Sequence, residues 1–180
     1  LADDVAAGPI LVKNDGNAPN SLTITSIGVP NYPVDKGGYG YAIERSYYTP
    51  EGEAVDPANI RVGDRLVTVL KVSPSAGGGA RLMVNDPLPA GFEIDNPNLL
   101  ANGEISALKW LGVTATRNTE FRSDRFLAAV DWRNSEAFHL AYIVRAVSPG
   151  EYHHPAATVE DMYRPQYRAR TAAGSITVSK

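Results

Sequence analysis

The stretch Arg65-Leu66-Val67-Thr68-Val69-Leu70-Lys71-Val72 is the most strand-like part of this 180-residue sequence, and it decides the fold class. β-branched residues are frequent in it, and they favour extended backbone. Apolar residues occupy both alternating sets of positions, whereas a strand with one solvated face would show only one apolar set. We therefore expect a central strand that is covered on both faces, with Val67, Val69 and Leu70 in the core.

Further strands are predicted on both sides of this stretch, separated by turn residues at short intervals. The predicted strands are 9–13 and 22–27 as an opening hairpin, 41–49, 80–84, 92–94, 126–132, 137–147, 152–160 and 175–178, with 162–170 as a loop. About nine or ten short strands spaced in this way are typical of an antiparallel β-sandwich. Phe126, Leu140 and Tyr142 join the expected core.

One region departs from the strand pattern. Ile105, Leu108 and Leu111 are spaced as on one side of a helix, so the sequence predicts a short helical insertion around 97–111. Strands and helices do not alternate, which excludes a parallel α/β fold. The prediction is an all-β, single-domain antiparallel sandwich over 1–180.

Composition narrows the classes of function. The sequence has no cysteine, so this chain forms no disulfide, thiolate metal site or cysteine nucleophile. A net charge of −3 argues against a general nucleic-acid-binding face. No apolar run reaches the ~20 residues that a membrane-spanning helix needs.

The only candidate for hydrolytic or metal chemistry is the neighbouring pair His153 and His154, with Asp161 further along. Successive side chains of an extended segment point to opposite faces, so the two imidazoles are not expected to converge on one ion or substrate. The sequence contains no Gly-x-Ser-x-Gly motif for a serine nucleophile. We therefore expect no catalytic residue, no metal site and no cofactor.

Met162 and Tyr163 stand out because they lie together in a polar segment, followed by Arg164. One interpretation is that both side chains fold back onto their own sandwich. The other is a contact loop, because methionine adapts to irregular surfaces, tyrosine offers area with a polar tip, and arginine is frequent at protein interfaces. The residues alone leave both open.

Several blocks in a fixed order resemble a known family. They are Arg61-Val62-Gly63-Asp64, Asp86-Pro87-Leu88-Pro89-Ala90-Gly91-Phe92-Glu93, Asp124-Arg125-Phe126-Leu127-Ala128-Ala129-Val130-Asp131, Tyr142-Ile143-Val144-Arg145-Ala146-Val147-Ser148-Pro149-Gly150 and Pro155-Ala156-Ala157-Thr158-Val159-Glu160-Asp161-Met162-Tyr163-Arg164-Pro165. Together they resemble the C-terminal macroglobulin domain of bacterial α2-macroglobulins. The resemblance implies a macroglobulin fold, similar to immunoglobulin and fibronectin III sandwiches, in a fragment of a much larger multidomain protein.

The resemblance also implies a function. Such proteins are periplasmic protease traps, many of them lipoproteins held at the inner membrane by a lipid anchor elsewhere in the polypeptide. A separate thioester domain captures the protease, and a Met-Tyr pair on the last macroglobulin domain keeps water from the thioester. By this resemblance Met162 and Tyr163 shield the thioester, Asp161 and Arg164 lie at the rim of that contact, and the partners are the thioester domain and the trapped proteases. The alternatives are an independent immunoglobulin-like adhesion or scaffold module, and a small hydrolase built on the two histidines.

Overall fold

The computed structural model describes residues 11–25, 27, 34–75, 78–95, 112 and 114–180. Contacts divide the chain into two compact units, Leu1–Asn31 and Tyr32–Lys180. In the first unit the predicted turn is present, since the backbone N–H of Gly16 donates to the Asn14 side chain at 2.9 Å. The predicted hairpin is wrong for the described residues, which contain no strand there, and Leu11 and Ile24 are exposed. A two-stranded ribbon without a covering layer is marginal by itself, whatever its alternation pattern.

The second unit contains the strands. In chain order they are β1 (Gly37–Tyr39), β2 (Tyr41–Tyr48), β3 (Ala54–Val55), β4 (Ile60–Arg61), β5 (Arg65–Pro74), β6 (Ala80–Pro87), β7 (Phe92–Ile94), β8 (Asn118–Phe121), β9 (Arg125–Trp132), β10 (Phe138–Ala146), β11 (Gly150–His154), β12 (Thr158–Asp161), β13 (Arg168–Arg170) and β14 (Gly174–Ser179). The described residues contain no helix, and therefore none long and apolar enough to cross a membrane.

Three sheets are formed. A six-stranded sheet has the order β1-β13-β12-β6-β9-β8, a five-stranded sheet has the order β3-β2-β5-β10-β7, and a three-stranded sheet has the order β11-β14-β4. The pairings between these strands are antiparallel except β14 with β4. This confirms the prediction of an all-β, mainly antiparallel fold.

Strand β5 is central, as its sequence predicts, because β2 and β10 pair along its two edges. Leu70 on its inner face is fully buried within the main core, and Phe126 from the six-stranded sheet stacks on Tyr142 from the five-stranded sheet at 4.5 Å between ring centroids. The facing sheets thus close over one apolar interior, which makes this unit a sandwich. The predicted core residues, which are Val67, Val69, Leu70, Phe126, Leu140 and Tyr142, are all buried.

The other differences from the predicted elements concern short segments. The segment 152–160 is divided into β11 and β12, and the predicted loop 162–170 ends in β13. Strands of two to four residues, such as β3, β4 and β8, have too few positions to show an alternating pattern. The predicted helical insertion around 97–111 lies outside the described residues.

Candidate functional site

The candidate site is the Met-Tyr loop, residues 162–167, which connects β12 to β13. Asp161 ends β12 with a buried carboxylate, and its Oδ1 accepts hydrogen bonds from the backbone N–H groups of Tyr163 at 3.0 Å and Arg164 at 3.2 Å. Its Oδ2 accepts from the Arg164 guanidinium through Nε and Nη2, each at 2.8 Å. These two hydrogen bonds from one guanidinium group define the geometry of the turn better than a single hydrogen bond would. Asp161 therefore supports the loop from beneath, and Arg164 stays half-exposed at its margin.

Backbone hydrogen bonds attach the loop to the sandwich at both of its ends. The N–H of Met162 donates to the Arg81 carbonyl oxygen on β6 at 2.9 Å. The N–H of Tyr167 donates to the Arg164 carbonyl at 2.8 Å, and the N–H of Asp161 donates to the Tyr167 carbonyl at 3.0 Å. The path of the chain is therefore defined by hydrogen bonds rather than by burial of Met162 or Tyr163.

Both large side chains point away from the core. Met162 is 48 % exposed and Tyr163 is 73 % exposed, although the backbone that carries them is tied down. The interpretation in which they fold back onto their own sandwich is therefore wrong. The exposure of both side chains is compatible with the other interpretation, a contact loop.

Tyr163 is oriented by Arg81, a residue that the sequence patterns did not single out. Arg81 Nη1 donates to the Tyr163 hydroxyl oxygen at 3.2 Å, and the guanidinium carbon lies 5.8 Å from the ring centroid. Asp131 fixes Arg81 in turn, because its Oδ1 accepts from Arg81 Nε at 2.7 Å while its Oδ2 accepts from Arg117 at 2.7 Å. The hydrogen bonds from Arg81 and then Arg117 lower the pKa of Asp131, so this carboxylate stays charged.

A shallow groove of about 300 Å³ lies beside the loop. Arg81, Arg133, Arg164 and Tyr163 line it, together with Asp131, Asp161 and the segment Gly79-Ala80. The pKa of Arg81 is raised by its hydrogen bond to Asp131, and the pKa of Arg164 by its hydrogen bond to Asp161. The groove is therefore a permanently charged surface next to the two exposed side chains.

The buried polar side chains serve the fold. Arg45 on β2 pairs with Asp86 on β6 at 2.5 Å, and its other terminal nitrogen donates to the Pro155 carbonyl at 2.8 Å. The Tyr142 hydroxyl donates to Asp86 Oδ2 at 2.7 Å. Burial raises the pKa of Asp86, against the opposing effects of Arg45 and Tyr142. These contacts cross between the facing sheets, and none of them opens into a cleft that could take a substrate.

The two histidines do not converge. His154 is buried with its Nε2 2.8 Å from the Tyr47 hydroxyl, whereas His153 is exposed. The predicted opposite orientation is confirmed, and this removes the arrangement that the hydrolase alternative needs. In the part of the chain that the structure describes, no three histidine, aspartate or glutamate side chains are grouped as metal ligands.

The sequence and the structure thus agree on the loop but differ on what surrounds it. Met162 and Tyr163 were found from residue type, since a methionine and a tyrosine are unusual neighbours in a polar segment. Arg81 and Asp131 were missed because neither is unusual for a strand. Their link appears only with the β6–β9 register, in which they face each other.

Comparison with known proteins gives consistent matches. The family model described as "Bacterial Alpha-2-macroglobulin MG10 domain" matches residues 40–166. Alpha-2-macroglobulin of Escherichia coli strain K12 is 34 % identical over 177 residues, which cover 93 % of this chain and 11 % of that protein. The chain therefore spans about a tenth of the length of the curated relatives that it matches.

Solved structures match at the level of the fold as well. Native alpha-2-macroglobulin from Escherichia coli, spanning domain MG7 to the C-terminus, superposes with a TM-score of 0.76 at 34 % identity, over 85 % of this chain and 25 % of that one. Salmonella alpha-2-macroglobulin reacted with methylamine gives 0.75 at 32 % identity, over 85 % and 10 %. Escherichia coli alpha-2-macroglobulin activated by porcine elastase gives 0.72 at 34 % identity, over 85 % and 14 %.

Proposed function

The chain belongs to the bacterial alpha-2-macroglobulin MG10 domain family, and from this membership we propose that it is the C-terminal macroglobulin domain of a bacterial protease trap. Its match to a structure that runs from domain MG7 to the C-terminus supports this place in a longer polypeptide. The activation of the Escherichia coli relative by elastase supports proteases as partners of the whole protein.

In this proposal the domain contributes a surface rather than a catalytic group. Met162 and Tyr163 cover a thioester on a neighbouring domain of the same polypeptide. The observation that carries the proposal is the combination of a hydrogen-bonded turn with two large exposed side chains. A methionine excludes water without offering a nucleophile, and a tyrosine ring adds area while its hydroxyl remains hydrogen-bonded to Arg81.

A small interface suits a shield of this kind, because the protease trap must expose its thioester when a protease cleaves the trap. The loop offers two apolar side chains with arginines at the margin, and a small, partly polar patch is typical of interfaces that separate readily. The reaction of the Salmonella relative with methylamine supports a group that amines attack.

The remaining parts of the proposal concern location. We place the parent protein in the periplasm, with any membrane attachment through a lipid anchor outside this domain. The absence of cysteine from the sequence is compatible with an oxidising compartment. Cell fractionation tests this location. It determines which fraction contains a tagged full-length parent before and after the outer membrane is removed.

The proposed function is tested by replacing both loop side chains in the full-length parent, as Met162→Ala with Tyr163→Ala. We expect methylamine to react faster with the parent before any protease is added, because the bulk over the carbonyl is lost. In the isolated chain the same change should leave the melting temperature nearly unaltered, since neither side chain is in the core.

Val62→Ala is the control, because Val62 is also an exposed apolar side chain, 42 % accessible, but lies in a different turn. It should change neither quantity. Unchanged amine reactivity in the double variant would contradict the shield and favour the alternative of an independent adhesion or scaffold module.

A further inference from the structure

Most of the polar side chains that line the groove beside Tyr163 are hydrogen-bond donors. Guanidinium groups have no acceptor, and the groove presents those of Arg81, Arg133 and Arg164. The two lining carboxylates are already occupied, Asp131 by Arg81 and Arg117, and Asp161 by Arg164 and the loop backbone. The groove therefore offers hydrogen atoms and positive charge but few free acceptors.

Two groups remain available for a partner. Arg81 donates to the phenol oxygen of Tyr163, so the phenol's own hydrogen is free to point outward. The Arg133 side chain is exposed and has no carboxylate partner among the described residues. Arg81 and Arg164, by contrast, are fixed in place and shape the site rather than move to meet a ligand.

We propose that this groove binds a carboxylate from an acidic segment of the neighbouring domain. This would occur in the same interdomain contact in which Met162 and Tyr163 cover the thioester. This inference rests on the proposed function for the identity of the partner. Three lining guanidinium groups against two lining carboxylates make the groove positive, although the chain as a whole carries −3. Charge complementarity of this kind sets the orientation and register of a contact more than its total strength.

A carboxylate fits better than the other acceptor-bearing groups. Planar guanidinium groups bind carboxylates through two parallel hydrogen bonds, and the phenol hydrogen of Tyr163 adds a further donor from the side. A neutral carbonyl would leave the charge of Arg133 uncompensated. The apolar contacts of Met162 and Tyr163 would then supply area, and the groove would supply orientation.

The direct test uses the 180-residue chain itself with an oligoglutamate peptide as the probe and an oligoglutamine peptide of equal length as its control. We expect NMR shifts of the Arg133 and Tyr163 signals with oligoglutamate only, and expect them to decrease as salt is raised. Arg133→Glu should raise the dissociation constant for oligoglutamate about two- to fivefold or more. The range of two- to fivefold corresponds to the loss of one exposed ion pair. Arg133→Lys keeps the charge but loses the two parallel hydrogen bonds, so its affinity should lie between those of the wild type and of Arg133→Glu.

The matched control is Arg145→Glu, which makes the same change of charge, because Arg145 is an exposed arginine on β10 of the other sheet. It should leave oligoglutamate binding unchanged. Shifts that are equal for the two peptides, that fall on other residues, or that are absent at saturating peptide would overturn the inference.

The full-length parent links the groove to the proposed function. Arg133→Glu should increase the methylamine rate at low ionic strength, and the difference from the wild-type rate should shrink as salt is raised, because the repulsion is screened at high salt. If the Met162→Ala, Tyr163→Ala variant accelerates the reaction and Arg133→Glu does not, the shield stands and the carboxylate inference fails. If the loop variant has no effect while oligoglutamate still binds, the groove stands and the proposed function fails.

Discussion

At the scale of single residues, the imidazole of His154 shows how burial changes the chemistry of a side chain. It lies at the end of β11 with its Nε2 2.8 Å from the Tyr47 hydroxyl. Burial, and then the charges of Arg45 and His153, lower its pKa to about 3. His154 is therefore neutral in the folded protein at neutral pH.

This shift predicts a pH dependence of stability. An unfolded histidine takes up a proton near pH 6.5, whereas folded His154 takes one up only near pH 3, so acid favours the unfolded chain between these values. We expect His154 to reduce the free energy of unfolding by about 2 kcal/mol between pH 7 and pH 5. Urea unfolding of the wild type and of His154→Gln at the two pH values measures this.

The neighbouring histidine provides the control. His153 is exposed, so His153→Gln should retain the pH dependence of the wild type. A wild type and a His154→Gln variant that lose equal stability between pH 7 and pH 5 would contradict the assignment.

The sequence predicts the relation between these two histidines better than it predicts their surroundings. Alternation along an extended segment is enough to place His153 and His154 on opposite faces. It does not tell which face is buried, because β11 belongs to the three-stranded sheet and packs according to a pairing with β14. The same limit applies to Tyr163, which its residue type singles out, but whose exposure and whose partner Arg81, 82 positions away, appear only in the structure.

At the scale of elements, a buried ion pair joins the facing sheets. Arg45 comes from β2 of the five-stranded sheet and Asp86 from β6 of the six-stranded sheet, and both side chains are almost completely buried. Asp86 also accepts the hydroxyl of Tyr142 on β10. The ion pair and the Tyr142 hydrogen bond are directional contacts between the two sheets, in addition to the apolar contacts, which have little directional preference.

Removing one member of this pair should cost more than removing both. We expect Asp86→Ala to destabilise the chain by about 3–5 kcal/mol, because Arg45 would be left buried without a counter-charge. The double variant Arg45→Met with Asp86→Ala should recover part of that loss. Denaturant unfolding at pH 7 measures both.

An exposed pair is the comparison. Asp124 pairs with Arg125 at 2.8 Å at the surface, where solvent screens the interaction, so Asp124→Ala should leave the denaturant midpoint nearly unchanged. The buried pair is contradicted if Arg45→Met with Asp86→Ala loses as much stability as Arg45→Met alone and Asp86→Ala alone added together. That result would show that Arg45 and Asp86 do not stabilise the fold as a pair.

Long strands are predictable from this sequence, whereas most short ones are not, with β7 (Phe92–Ile94) as an exception. Strands β5, β9 and β10 have eight to ten residues, and their apolar patterns repeat often enough to be read. Strands β1 and β13 have three residues each and form only because they pair with each other beside β12. Their existence depends on tertiary contacts, which a local pattern does not contain.

At the scale of the whole molecule, the apolar core formed by the described residues lies in the second unit. All the residues of the main core cluster lie between Tyr41 and Val178. The opening predicted as a hairpin contains no strand in its described residues, so a correct local alternation pattern did not produce an element there. The core also extends past the last residue matched by the family model, because Ala169, Ile176 and Val178 are buried members of it.

Two shortened chains should therefore behave differently. A chain of residues 32–180 retains the complete main core cluster, and we expect it to unfold cooperatively with a melting temperature within a few degrees of the whole chain. A chain limited to the matched residues 40–166 loses β14, which pairs with both β4 and β11, so that the three-stranded sheet cannot form. It also uncovers the apolar side chains beneath β13 and β14, and exposing several buried aliphatic side chains costs about as much as the total stability of a small domain. Calorimetry and near-ultraviolet circular dichroism should show no cooperative transition for it. A folded 40–166 chain, or a large loss of stability on deleting residues 1–31, would show that the core has been assigned to the wrong part of the chain.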